Sequence, residues 1–190
     1  MDIRQLTDIH THHRNRPDAL LSLEPHELPF SHDRMLPDTP FSISLHPWHL
    51  TGDTVARFHD IIGMCKDNQM LMGIGECGLD NKCGTPLSLQ TEAFLVSLHT
   101  ARQLRLPMII HCVGYWAEMQ KCVRQEWGAE GANTALREGT PLIVHGFRKG
   151  PDLCRQLLAA GFCISLGAKY NKDCLGIIPA DRLFRETDND

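Results

Sequence analysis

The chain has 190 residues, 42% of them hydrophobic and 22% charged. That is enough for one domain with a sizeable core, but short of the roughly 250 residues of a complete eight-fold β/α barrel. The net charge of −4 excludes a global basic field that would draw in nucleic acid, so a phosphate-bearing substrate would have to be held by local groups or metal ions.

Short apolar runs alternate with longer segments of helical periodicity. Leu6 to His10 reads as a first strand and Phe41 to His46 as a second. Thr51 to Lys66 carries Val55, Phe58, Ile61 and Ile62 at helical spacing. Leu71 to Glu76 is a third strand. Ser88 to Leu104 is an amphipathic helix with Ser88 as its N-cap candidate. Strands follow at Pro107 to His111, Pro141 to His145, Phe162 to Leu166 and Leu183 to Thr187. Helices are expected over Trp116 to Trp127 and Pro151 to Ala160, the latter with proline in its first turn, and a short one near Leu175 to Ile178. This alternation predicts parallel strands with right-handed crossovers. The expected fold is a single α/β domain over residues 1–190. It is a shortened TIM-type β/α barrel of seven strands, with its last β/α unit missing and closure incomplete at the C-terminal side.

The eight cysteines are scattered, include no C-x-x-C and lie partly in apolar runs, which reads as buried reduced thiols. Asp2, Arg4 and Asp8 interrupt the first apolar stretch, and no segment approaches the roughly 18 apolar residues of a membrane span. The expected setting is cytoplasmic, without a membrane.

Polar residues fall at informative places. His10, His46, Glu76, His111, His145 and Glu186 each end a predicted strand, with His12 and Asp188 two residues beyond two of them. Catalytic groups of β/α barrels gather at those ends. Neutral imidazoles with carboxylates suit zinc, manganese or magnesium. In His10-Thr11-His12, period two in an extended chain turns both imidazoles to one face. There are ligands enough for two divalent ions, and Glu76, with its two oxygens, is the natural bridge. His13 points away from that pair. His26, His32, His59 and His99 read as solvated or packing residues, and Cys77 and Cys112 as facing away from the ligands they follow.

Several segments resemble the TatD family of metal-dependent hydrolases. They are Asp8-Ile9-His10-Thr11-His12, Ser44-Leu45-His46-Pro47-Trp48-His49, Gly73-Ile74-Gly75-Glu76-Cys77-Gly78-Leu79-Asp80, Pro107-Met108-Ile109-Ile110-His111-Cys112, Val144-His145-Gly146-Phe147 and Glu186-Thr187-Asp188. Gln90 and Phe94 also look like the family's segment after the Gly-Glu-x-Gly-Leu-Asp motif. The resemblance implies a first ion on His10, His12, Glu76 and Asp188, and a second on Glu76, His111 and His145. It also implies deoxyribonuclease activity. The family's usual His-Cys-Phe-Ser-Gly is here His145-Gly146-Phe147-Arg148-Lys149-Gly150, which marks a compact branch.

On this reading two ions activate a water for attack on phosphorus, and Asp188 takes its proton as general base. Arg148 and Lys149 would hold a phosphate, His46 and His49 would line the mouth, and Trp48 offers a ring for base stacking. The expected partners are DNA or a small phosphoester, with the chain a monomer or homodimer. Two other readings fit the same residues: hydrolysis of another small phosphoester or an amide, and a metal-binding protein without catalysis.

Overall fold

A computed structural model describes residues 2–14, 16–28 and 36–189. Eight strands form one sheet in the order of the sequence: β1 Asp8–Thr11, β2 Ala19–Leu23, β3 Phe41–Ile43, β4 Leu71–Asp80, β5 Met108–Val113, β6 Leu142–Val144, β7 Cys163–Leu166 and β8 Leu183–Arg185. Every neighbouring pair is parallel. The helices are α1 Gly52–Ala56, α2 Phe58–Cys65, α3 Leu87–Leu104, α4 Trp116–Trp127, α5 Ala132–Arg137, α6 Pro151–Ala159 and α7 Lys172–Leu175.

The expected seven strands are therefore eight. The strand not anticipated is β2, and Leu183–Arg185 is the eighth strand of the barrel. All five residues of β2 are buried, so it shows none of the alternation that marks a half-exposed strand. The barrel is nearly closed. β1 and β8 share no ladder, only the single parallel bridge Thr11↔Asp188. The Asp188 N–H donates to the His10 carbonyl at 2.9 Å, and the Asp188 carbonyl accepts from the His12 N–H at 3.3 Å. Side chains brace this seam. Buried Asp8 accepts from Arg16 Nη1 at 2.6 Å, Thr187 Oγ1 at 2.7 Å and the Thr187 N–H at 3.1 Å.

Three smaller differences concern helices. The segment expected as one helix over Thr51 to Lys66 is two, with Arg57 between them. Helix α3 begins at Leu87, so Ser88 is not its N-cap. The short helix lies at Lys172–Leu175 rather than after Leu175. The expected solvated residue His32 lies outside the described residues.

Two apolar layers hold the barrel. Ile9, Leu20, Met72, Ile109, Ile143, Cys163 and Phe184, one from each of seven strands, form a cluster with Ile3 and Leu6. A larger cluster joins the outer strand faces to the helices through residues such as Phe41, Ile74, Phe94, Leu98, Met119, Val123 and Leu157. The period of two then carries the chain from core to site. Ile109 leads to His111, Ile143 to His145, and Phe184 to Glu186 and Asp188.

Candidate metal centre

Strand β4 passes close against β5 and gains a residue there, since Ile74 pairs with Met108 but Cys77 with Ile110. A bulge of this kind re-aims a side chain. The glycines make it possible. Gly75 (φ +123°) and Gly78 (φ +155°) lie so near β5 that an added Cβ would stand 2.2 Å from the Ile109 carbonyl oxygen and 1.9 Å from that of His111. Glu76 sits between them, 4% exposed, in the middle of β4 rather than at its end, because β4 continues to Asp80. The Ser44 hydroxyl donates to the Glu76 carbonyl.

The two carboxylate oxygens of Glu76 meet different groups. Oε2 lies 3.1 Å from His10 Nε2 and 3.8 Å from His12 Nε2, and Asp188 Oδ1 stands 3.6 and 3.9 Å from those two nitrogens. Oε1 lies 2.6 Å from His145 Nε2, 2.7 Å from His111 Nδ1 and 3.3 Å from His46 Nε2. Of the six residues expected to bind metal, the other five thus gather around the carboxylate of Glu76, and His46 joins them. His10-His12-Glu76 and His46-Glu76-His111 each offer ligand atoms close enough together to hold an ion.

The electrostatics of the cluster call for cations. Burial alone would lower the His10 pKa, but the charge of Glu76 and hydrogen bonds to Asp188 and Glu76 outweigh it and raise the value to about 9. Burial likewise opposes a charged His145, yet Glu76 and Glu186 hold its pKa well above the ordinary range. Burial would raise the Glu76 pKa; the facing charges of His145 and His10, with hydrogen bonds from His10 and His111, keep it well below. Asp188 is lowered, chiefly by its hydrogen bond with His10. Buried imidazole nitrogens aimed at buried carboxylates must share protons or a metal, since neutral imidazole lone pairs and carboxylates would repel. Among the described residues, Nδ1 of His10, Nδ1 of His145 and Oε2 of Glu186 are buried without a hydrogen-bond partner. The donor set of imidazoles and carboxylates fits divalent zinc, manganese or magnesium.

Two carboxylates without an expected role back the histidines. Asp80 Oδ2 lies 2.9 Å from His111 Nε2, and Glu186 Oε1 accepts the Gly146 N–H at 2.6 Å while standing 3.7 Å from His145 Nδ1. Glu186 does end a predicted strand, and the Gly-Leu-Asp segment contains Asp80. The missing signal was spatial, because Asp80 becomes a neighbour of His111 only when β4 runs four residues past Glu76.

The other expected residues lie around the mouth. A cleft of about 590 Å³ contains His12, His46, Trp48, His49, Glu76, Arg148 and Asp188. Lys149 lines an adjoining recess with Arg148, Trp116 and Phe147. His49 pairs with Glu24 at 2.7 Å, on the rim. Trp48 is 57% exposed, and its indole N–H donates to Asp80 at 2.7 Å. His13 is exposed, as are His26, His59 and His99. Cys77 and Cys112 pack into the outer core, where burial pushes both thiols up to about 12, so they stay protonated. All eight cysteines are free.

An eight-stranded parallel β/α barrel with histidines and carboxylates clustered at its strand ends belongs to the class of TIM-type barrels, which carry their sites at those ends. The sequence pattern of the TatD related DNase family matches residues 34–189, and the chain belongs to that family. The uncharacterized metal-dependent hydrolase YabD of Bacillus subtilis is 27% identical over 165 residues, which cover 81% of this chain and 61% of YabD. A 3′-5′ ssDNA/RNA exonuclease TatD from a Rahnella species is 33% identical over 124 residues, 62% of this chain and 45% of that protein. The chain therefore spans roughly half to three-fifths of the length of these curated relatives. Among solved structures, the TatD homolog YJJV of Escherichia coli superposes with a TM-score of 0.70 at 15% identity, covering 97% of this chain and 79% of that one. The TatD family hydrolase of Entamoeba histolytica gives 0.66 at 15% identity, covering 96% and 73%. These two establish the fold.

Proposed function

We propose that residues 1–190 form one hydrolase domain that cleaves phosphodiester bonds of single-stranded DNA, using two divalent ions shared by Glu76. The observation that carries this reading is the split environment of Glu76. One oxygen faces His10, His12 and Asp188, and the other faces His46, His111 and His145. The TatD name of the exonuclease relatives points to nucleic acid as the substrate class.

His10, His12, Glu76 and Asp188 would hold one ion, and Glu76, His111 and His145 the other. Bound there, such ions lower the pKa of water and neutralise charge developing on the phosphate. The chain's own groups do the rest. Asp188, partly open to the cleft, accepts the proton released by the attacking water. Glu76 is locked by its neighbours and keeps the two ligand sets in register. Arg148, and Lys149 beside it, hold the substrate phosphate, with Arg the better bidentate partner. Trp48 presents an exposed ring on which a base stacks. His46 adds an imidazole on the Oε1 side, while His49 stays on the rim. Among the described residues no helix is long and apolar enough to cross a membrane. Eight free cysteines suit a reducing compartment such as the cytoplasm.

The test is a chelator-stripped sample assayed on a 3′-labelled single-stranded oligonucleotide, then restored with manganese, magnesium or zinc. Activity should vanish and return. Glu76→Ala should lower the restored rate by about 10³-fold or more, the several kcal/mol that charge stabilisation by the ions contributes. Full activity in Glu76→Ala, or in the stripped protein, would refute the reading. Cleavage of a small phosphoester or amide but not DNA would redirect it to another substrate of the same centre. Metal uptake without any cleavage would leave a binding protein.

A further inference from the structure

His111 is the only histidine of the cluster, among the described residues, whose outer nitrogen has a carboxylate within hydrogen-bond reach. Its Nδ1 faces inward, 2.7 Å from Glu76 Oε1, and its Nε2 faces outward, 2.9 Å from Asp80 Oδ2. The outer nitrogen of His10, Nδ1, has none, and that of His145 stands 3.7 Å from Glu186. Asp80 is itself clamped. Its Oδ1 accepts the Lys82 N–H at 2.7 Å and its Oδ2 the Trp48 indole N–H at 2.7 Å. Its backbone N–H donates to Gln90 Oε1 at 2.7 Å, and its carbonyl accepts from Gln90 Nε2 at 3.1 Å. Asp80 is 2% exposed.

We infer that Asp80 is a positioning residue that holds His111 as the Nε2–H tautomer, leaving the Nδ1 lone pair free toward the metal centre. An ionised carboxylate only accepts, so a neutral ring against Asp80 must carry its proton on Nε2. A ligating imidazole oriented by an outer carboxylate is a recurring device that fixes ring angle and raises basicity. Gln90 does the same one step further out: from the first turns of α3 it grips the end of β4 through both backbone groups of Asp80. Trp48 shares Oδ2 with His111, which ties the ring at the cleft mouth to the same carboxylate. The inference rests on the reading of the Oε1 side as an ion site.

The experiment titrates zinc into the stripped protein against a chromophoric chelator, comparing wild type with Asp80→Asn. An amide cannot accept from Lys82, Trp48 and His111 at once, and its N–H₂ turned to His111 would favour the opposite tautomer. Asp80→Asn should weaken one of two zinc sites by roughly 10- to 100-fold and leave the other unchanged. Equal affinities in both proteins, or equal weakening of both sites, overturns the assignment. A second measurement needs no variant. Long-range ¹H–¹⁵N spectra of zinc-loaded wild type should show the His111 proton on Nε2, and a proton on Nδ1 overturns the proposal. A wild type that takes up only one zinc refutes the two-ion reading, while the tautomer still decides the role of Asp80.

Discussion

His10, His12 and Asp188 meet Glu76 Oε2 where the first and last strands of the barrel come together through a single bridge, whereas His46, His111 and His145 meet Oε1 above strands joined by ladders of several residue pairs. The Oε1 side stands on the β3 to β6 ladders and is braced by Asp80 and Gln90. The Oε2 side depends on one bridge, two backbone hydrogen bonds and the side chains around Asp8. One carboxylate thus joins a firmly mounted half to one mounted on a seam. The group expected to move a proton, Asp188, sits on the seam, in a left-handed turn (φ +55°) that a short acidic side chain tolerates.

The largest test of this contrast is Asp188→Asn. Loss of the proton acceptor should cut the rate by about 10²- to 10⁴-fold, while zinc uptake on the Oε1 side persists. A drop of less than tenfold would deny Asp188 that role. Next is Asp8→Asn, which removes the charged acceptor of Arg16 and Thr187. Stability should fall by about 2 kcal/mol in thermal melts, because hydrogen bonds to a buried charge are among the stronger ones. Amide exchange should quicken near Thr187 and Asp188 but not along β4 and β5. Uniform quickening would mean that the two halves are mounted alike.

pH separates the halves less sharply. In metal-free protein the His10 pKa is raised from 6.5 to about 9. Its stabilisation is therefore complete below about pH 6.5 and lost as pH rises through 9. Glu76 and Asp188 are lowered, so their contribution is present above the ordinary carboxylate range and disappears as pH falls further. The melting temperature of chelated protein should fall between pH 6.5 and 9.5. A flat profile would show that His10 and Glu76 do not hold each other as their geometry implies. The smallest effect belongs to the rim: Arg148→Ala should raise KM about fivefold with kcat little changed, the 1 kcal/mol scale of an exposed charge contact. A large fall in kcat would place Arg148 at the reacting phosphate instead.

Much of this centre is readable along the chain. Seven of the eight strands announce themselves by apolar runs between helical segments, and His10, His12, Glu76, His111, His145 and Asp188 stand at or near their ends. Residue type limits the chemistry to hard and borderline divalent ions, and the spacing of two in His10-Thr11-His12 sets both rings on one side. Strand β2 is not legible in the same way because Ala19-Leu20-Leu21-Ser22-Leu23 is buried throughout and carries no alternation, although Glu24 directly follows it. Without it the strand count was one short.

What the amino-acid sequence alone determined was the alternating α/β plan, the ligand chemistry that the histidines and carboxylates offer and their order around the barrel, since these depend on local pattern and side-chain chemistry. Only the tertiary structure decided that eight strands nearly close, that a glycine-flanked bulge turns Glu76 to face two groups at once, and that Asp80 stands behind His111. Each of those depends on a close approach between segments distant in the chain: β4 against β5, and β8 against β1. Periodicity within one segment carries no information about the distance to another.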